Sequence, residues 1–156
     1  MSAFRSPLKV AILALSGLVL TLSGNSAGQA RQRVCTPAEA KGAEAEAETL
    51  RTWDELHRSF RPYSQCDDGV IAEGYSESVI RLLVDHWNTL NRLISAGSGD
   101  SSFLRFVIRH VDPTASGDDL KKIKLLAKTQ CPEASGAICD KFEKRAHSAL
   151  QASSNK

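Results

Sequence analysis

The chain has 156 residues, with 20 Lys or Arg against 18 Asp or Glu, which gives a net charge of +2. A chain this close to neutral lacks the basic surface that nucleic-acid binding requires. Its length is enough to bury one hydrophobic core, so we predict a single small domain that binds no nucleic acid.

The N-terminal segment, residues 1–30, has the three parts of an export signal. Arg5 and Lys9 precede an uncharged stretch, Val10 to Leu22, and small and polar residues follow it. This order is typical of a secretory signal peptide. The 13 residues of the apolar stretch would form about 20 Å of helix, too short for a hydrocarbon core of roughly 30 Å. We therefore predict that the signal peptide is removed and that the mature protein is periplasmic or secreted, without membrane contact after cleavage.

Removal of that segment would make the charge balance even. Without Arg5 and Lys9, 18 basic and 18 acidic residues remain. Residues 31–100 hold 8 basic and 12 acidic residues, whereas residues 101–156 hold 10 basic and 6 acidic residues. The two halves either form solvated faces that attract each other or present a basic patch to an acidic partner.

The chain's four cysteines predict disulfide bonds, because an exported protein meets an oxidising compartment. Cys131 and Cys139 flank a short segment that contains a proline and a glycine, which favours a staple between two helices. Cys35 would then pair with Cys66, although four cysteines allow three pairings.

The Cys35–Cys66 pair conflicts with a single straight helix over residues 37–60. Such a helix would be about 36 Å long, while the five residues that follow it can reach back only about 18 Å. Either the helix is broken, for example at Gly42, or the pairing is different.

Helix signals recur along the rest of the chain. Thr36 begins a capping box with proline at the first helical position. Apolar residues at helical spacing appear only from Leu50 onward, so residues 31–48 are predicted to be a loosely anchored arm or helix start. The next helix is expected to begin at Asp67 or Asp68 and to run to Ile94, with an internal Gly74 that marks close packing or a kink.

Shorter elements are predicted in the C-terminal half. Residues 95–100 are expected to form a loop. Residues 103–111 are apolar enough for a strand, but a cap at Asp100 or Ser101 favours a short buried helix. Ser116 is expected to open another helix, which Pro132 ends.

The last helix is predicted over residues 135–150, with a frayed tail over residues 151–156. The fold class is therefore all-α. Residues 49–150 are expected to form a single domain, an irregular bundle of about five antiparallel helices or a set of stacked helix pairs, stapled by disulfides.

Four carboxylates surround the start of the helix that follows Cys66. With a neighbouring tyrosine they define a candidate interaction surface: Asp67, Asp68, Glu73, Tyr75 and Glu77. Clustered carboxylates are ligands that hard divalent ions prefer, so this segment also suggests a metal-binding protein or a hydrolase. The other interpretation is that the aspartates cap the helix and the glutamates form a solvated acidic face.

The sequence lacks known catalytic motifs. The four histidines are scattered, His110 has the context of a core histidine, and Ser76 and Ser78 have no evident base. Metalloprotease, nucleophile-elbow and phosphate-loop patterns are not found. We therefore predict no catalytic, cofactor-binding or metal-ligating residue, and no cofactor.

Three stretches carry a resemblance: Cys66 to Ser76 (Cys-Asp-Asp-Gly-x-Ile-Ala-Glu-Gly-Tyr-Ser), Phe103 to Asp112, and Cys131-Pro to Cys139. Together they resemble an uncharacterised family of short exported bacterial helical proteins, over roughly residues 50–145. The resemblance implies a helical exported domain and no particular activity. In size, class and compartment the chain is also similar to periplasmic immunity proteins, which neutralise toxins that attack the cell wall.

The sequence thus favours a non-enzymatic binding domain of the periplasm with an unknown protein partner. An inhibitor or immunity-type role is one version of this hypothesis. The alternative is the metal-binding protein or hydrolase that uses the acidic segment from Asp67 to Glu77.

Overall fold

The computed structural model describes residues 33–154, which are all-α and belong to one compact unit. Their seven helices are α1 (Pro37–Glu46), α2 (Trp53–Tyr63), α3 (Gly69–Asp85), α4 (Leu90–Gly99), α5 (Ser101–Arg109), α6 (Gly117–Thr129) and α7 (Gly136–Ser154). Short 3-10 turns, Ser64–Cys66 and Trp87–Thr89, precede α3 and α4. The all-α, disulfide-bearing fold class is confirmed, and the predicted signal peptide lies outside the described residues.

Most of these helices have a side chain that caps the N-terminus. Thr36 and Thr52 each accept a hydrogen bond from the backbone of the glutamate three residues later, and that glutamate accepts one in return. At α1, the hydrogen bonds from the backbone and then the side chain of Thr36 lower the pKa of Glu39 to about 2. Asp68, Asp100 and Ser116 cap α3, α5 and α6. Caps are local signals, which is why several of these helix starts could be predicted.

The N-terminal helix is better anchored than predicted. Ala43 and Ala47 are buried, at 0% and 1% exposure, against the rest of the core. Ser78 donates a hydrogen bond to the Ala47 carbonyl, and Arg81 donates to the carbonyls of Glu48 and Leu50. Of the two predicted alternatives, the segment forms the helix start, and polar side chains of α3 hold it through contacts that an apolar periodicity cannot show.

The predicted helix over residues 37–60 is broken after α1, at residues 47–52, and not at Gly42. The chain therefore turns back, and Cys35 and Cys66 are bonded with their Cα atoms 4.9 Å apart. Cys131 and Cys139 form the second disulfide. Both pairings agree with the prediction.

The long helix predicted from Asp68 to Ile94 ends at Asp85. The turn that follows is held by side-chain hydrogen bonds of two tryptophans: Trp53 donates to Thr89, and Trp87 donates to the Gln130 carbonyl. Residues distant in sequence thus hold the turn at which the predicted helix is interrupted.

Two further boundaries differ from prediction. The expected loop over residues 95–100 is the second half of α4, and Asp100 separates α4 from α5. The last helix continues through Ser154, so the predicted frayed tail is helical over its described part.

The core lies between α3 and the helices around it. Its largest fully buried side chains are Trp53, Tyr75, Phe103, Phe106 and Phe142. A Cβ atom built on Gly74 would lie 3.0 Å from the Ala47 Cβ, so this glycine permits close packing of α3 against the end of α1. Within residues 33–154, no helix is both long and apolar enough to cross a membrane.

Candidate functional site

A buried polar cluster joins α3 to the end of α5. It consists of Asp67, just before α3, Ser76 on α3, His110 at the C-terminus of α5 and Asp112 two residues later; we call it the His110 cluster. Ser76 is 4% exposed and His110 is 3% exposed. Buried polar groups are costly unless they are paired, so the hydrogen bonds of the cluster determine what it can do.

The hydrogen bonds of Ser76 assign the proton on His110. The Ser76 hydroxyl lies 2.8 Å from Asp112 Oδ2 and 2.9 Å from His110 Nδ1. A hydroxyl has one proton, and donation to the charged carboxylate is the stronger bond. His110 Nδ1 therefore carries a proton and donates it to Ser76 Oγ. This tautomer is assigned from the network.

The other ring nitrogen faces a second carboxylate. His110 Nε2 lies 3.2 Å from Asp67 Oδ1, close enough for an ion pair but not aligned for a hydrogen bond. The His110 ring therefore lies between Asp67 on one side and Ser76, which is bound to Asp112, on the other.

Neighbouring groups close the cluster on two sides. The Arg109 guanidinium pairs with Asp67 Oδ2 and lies over the Phe106 ring, 5.7 Å from its centroid. The Phe106 ring also packs edge-on against His110, with 4.3 Å between centroids. Tyr75 lies behind, where its hydroxyl is 2.8 Å from Ser59 Oγ and burial raises its pKa to about 12.

The environment favours the charged form of both carboxylates. Burial by itself would raise the pKa of Asp67, but its close neighbours His110 and Arg109 hold it below its usual value. Burial likewise opposes ionisation of Asp112, whereas hydrogen bonds from Thr114 and Ser76 and the charge of His110 lower its pKa. The cluster thus holds two ionised carboxylates, one buried and one partly buried.

The cluster contains the residue types of a serine hydrolase, a combination that the sequence analysis missed. Ser76 has a histidine within hydrogen-bond distance, a neighbour that the sequence did not reveal. However, Ser76 is nearly inaccessible, and its proton is directed at Asp112 while the histidine donates to it. A general base must instead accept the proton of the nucleophile. The geometry therefore supports a buried polar bridge between α3 and α5.

The predicted acidic interaction surface is divided by the fold. Asp68, Glu73 and Glu77 are exposed, whereas the Asp67 side chain is 5% exposed and faces His110. Tyr75 is 0% exposed, so it has to be removed from this surface. Among the described residues, no group of three or more His, Cys, Asp or Glu is arranged to hold a metal ion.

Two open depressions lie on either side of the His110 cluster. The first, the α3 groove, has a volume of about 410 Å³ and runs between the exposed edge of α3 and the segment from Thr114 to Asp119. The second, the arginine hollow, has a volume of about 660 Å³ and is lined by Arg33, Arg61, Ser64, Gln65, Asp67 and Arg109. A smaller depression of about 260 Å³ between them is lined by residues of the cluster.

Comparison with protein-family models, curated proteins and solved structures found no significant match. The surfaces and the chemistry of their residues are therefore the basis of the functional proposal.

The buried carboxylates predict a loss of stability in acid. Because the pKa values of Asp67 and Asp112 are lowered in the folded state, their contribution is fully present above the unfolded pKa, near 4, and disappears as the pH falls through the folded values. We expect the free energy of unfolding to be nearly constant from about pH 7 to 5 and to fall below about pH 4. Urea unfolding at a series of pH values measures this dependence.

The asparagine variants D67N and D112N provide the comparison. Each should be less stable than the wild type at pH 7 and should show a shallower loss in acid, because one titrating group is absent. An unchanged acid slope in both variants would contradict the assignment.

Proposed function

We propose that the mature protein is an exported, periplasmic, non-enzymatic binding domain that engages a basic segment of a partner protein in the α3 groove. The observation that carries this proposal is the composition of the groove. Its sides combine apolar groups with carboxylates, and no described element covers it. Two disulfides, which persist in oxidising compartments, support the proposed location.

The apolar part of the groove is small and central. Ile80 and Val84 on α3 and Ala115 on the opposite side line it, and all three are at least partly buried. A groove of this kind accommodates one or two apolar side chains, which contribute to affinity by leaving water.

The charges of the groove are mostly negative. Glu77, Asp85 and Asp119 line it, and Glu73 lies one turn before Glu77 on the same exposed face of α3. Arg81 also lines the groove, and Asp85 lies 3.8 Å from the Lys122 ammonium, so the negative charge comes mainly from Glu77 and Asp119, which have no ion-pair partner among the described residues. Charge complementarity therefore favours a partner segment with Lys or Arg beside an apolar residue.

Site-specific photo-crosslinking tests this proposal in cells that produce the full chain. A photoreactive residue at position 85, which is exposed and lines the groove, is expected to give a defined adduct in the periplasmic fraction. The same residue at Asp140, which is exposed on α7 and does not line the groove, serves as the matched control. Absence of an adduct, or equal adducts from both positions, would count against the groove.

Charge reversal provides a second test. The E73K/E77K variant should lose most of the adduct, because its lysines repel a basic partner segment. Both side chains are exposed, so the fold should not depend on them. The D140K variant should retain it. Retention of the adduct by E73K/E77K would show that the acidic face does not recruit the partner.

An inhibitor or immunity-type role is the specific version that we propose for this binding. Its support is the resemblance in size, helical class and disulfide content to periplasmic immunity proteins. Identification of the crosslinked protein by mass spectrometry tests this version, since a cell-wall-attacking enzyme is expected. An adduct with a non-enzymatic envelope protein would reject the inhibitor role and leave the binding proposal standing.

A further inference from the structure

The arginine hollow lies on the other side of the His110 cluster from the α3 groove and has the opposite charge. Arg33, Arg61 and Arg109 line it, and Asp67 is the one carboxylate among the residues that do so. The Asp67 side chain is turned inward and is 5% exposed, so the open part of the hollow presents guanidinium groups.

The three arginines keep donors free for a ligand. Arg33 pairs with Glu39 at 2.7 Å and Arg109 pairs with Asp67, but their side chains remain 66% and 61% exposed. A guanidinium has five N–H donors, and each of these two pairs uses one of them. Arg61 is exposed and has no hydrogen-bond or ion-pair partner within residues 33–154.

The frame of the hollow is held by contacts between distant segments. The Cys35–Cys66 disulfide fastens the segment of Arg33 to the turn that carries Ser64 and Gln65. Arg145 on α7 donates a hydrogen bond to the Arg109 carbonyl at 3.0 Å. These contacts fix the backbone that carries Arg33 and Arg109, so binding does not have to bring distant segments of the chain together, which lowers its entropic cost.

We propose that the arginine hollow binds a phosphate group carried by a small molecule. Guanidinium groups recognise phosphate through paired, charge-assisted hydrogen bonds, and a phosphate offers more acceptor oxygens to several arginines than a carboxylate does. The hollow, at about 660 Å³, is much larger than a single phosphate, so it has room for the rest of a phosphate monoester. This inference is independent of the α3 groove and of a protein partner.

Titration of the oxidised mature protein with inorganic phosphate and, separately, with glycerol 3-phosphate tests the proposal. The arginine Nε–Hε signals in two-dimensional NMR report the site, at constant ionic strength maintained with sodium chloride. We expect saturable shifts for Arg33, Arg61 and Arg109 and none for Arg58, which is exposed on α2 outside the hollow. Tighter binding of glycerol 3-phosphate would identify a monoester as the ligand, and equal binding would identify free phosphate.

Variants separate a specific site from general charge attraction. R61A should weaken binding by about tenfold, the effect of losing one charge-assisted contact, while R58A should leave it unchanged. R33A, which changes a different segment of the same hollow, should weaken binding as well. No saturable shift with either ligand, or equal weakening by R58A and R61A, would overturn the proposal.

Discussion

Replacement of His110 by alanine is expected to lower the free energy of unfolding by about 3–5 kcal/mol, the combined cost of unpaired buried polar groups and a new cavity. The substitution removes the group that faces Ser76 at 2.9 Å and Asp67 at 3.2 Å. The Asp67 carboxylate and the Ser76 hydroxyl would each lose a neighbour, and a cavity would open beside Phe106. Urea unfolding at pH 7 measures the loss.

The matched control for this prediction is H147A. His147 is exposed on α7, so its substitution should change stability by less than about 0.5 kcal/mol. The double variant D67N/H110A should lose less than the sum of the single changes, because the residues interact. Additive losses would contradict the pairing of His110 with Asp67.

A labelling experiment tests whether Ser76 is part of a buried polar bridge or a nucleophile. A serine-directed fluorophosphonate should not label the folded protein at Ser76, since this residue is 4% exposed and accepts a hydrogen bond from the histidine. Labelling that disappears in H110A but persists in H147A would instead indicate a nucleophilic serine and would favour the hydrolase alternative.

The second large effect is expected from loss of the Cys35–Cys66 disulfide. This bond joins residues 31 positions apart, and the loop-entropy relation gives about 3–4 kcal/mol of stabilisation for a loop of that size. The C35S/C66S variant should therefore unfold at a clearly lower urea concentration than the wild type. It also releases the segment that carries Arg33, so it should weaken phosphate binding in the arginine hollow.

The other disulfide provides the comparison for this prediction. Cys131 and Cys139 are 8 positions apart, and the same relation gives about 2–3 kcal/mol. C131S/C139S should thus be the milder change and should leave the arginine hollow intact. A larger loss from C131S/C139S than from C35S/C66S would contradict the ranking by loop length.

Much of the local structure could be predicted because its causes are local. The Thr36 capping box, the Ser116 cap and the apolar spacing of residues 103–111 each act within one or two turns, and the corresponding helices α1, α6 and α5 are present. The disulfide pairing could be inferred from spacing for Cys131 and Cys139, and by elimination for the other pair.

The candidate sites were predicted less well because their residues are distant in sequence. Ser76 and His110 are 34 residues apart, and a serine within a helical stripe carries no mark of its eventual partner. The assignment of Tyr75 to the surface was wrong for a related reason: the neighbouring carboxylates suggested an exposed segment, whereas the tyrosine points to the opposite face of α3. Arg33, Arg61 and Arg109 belong to three segments, so their shared hollow has no sequence pattern.

The sequence by itself determined the helical class and most helix starts, and it favoured the Cys131–Cys139 staple, because caps, periodicity and spacing depend on residues that are near one another along the chain. The tertiary structure decided where α1 and α3 end, which carboxylates are buried, and how an acidic groove and an arginine hollow come to lie on either side of one buried histidine. These features depend on contacts such as those of Trp53 with Thr89 and of Arg81 with the Glu48 carbonyl. Such contacts exist only after the helices have packed, because packing brings together groups that the chain keeps apart.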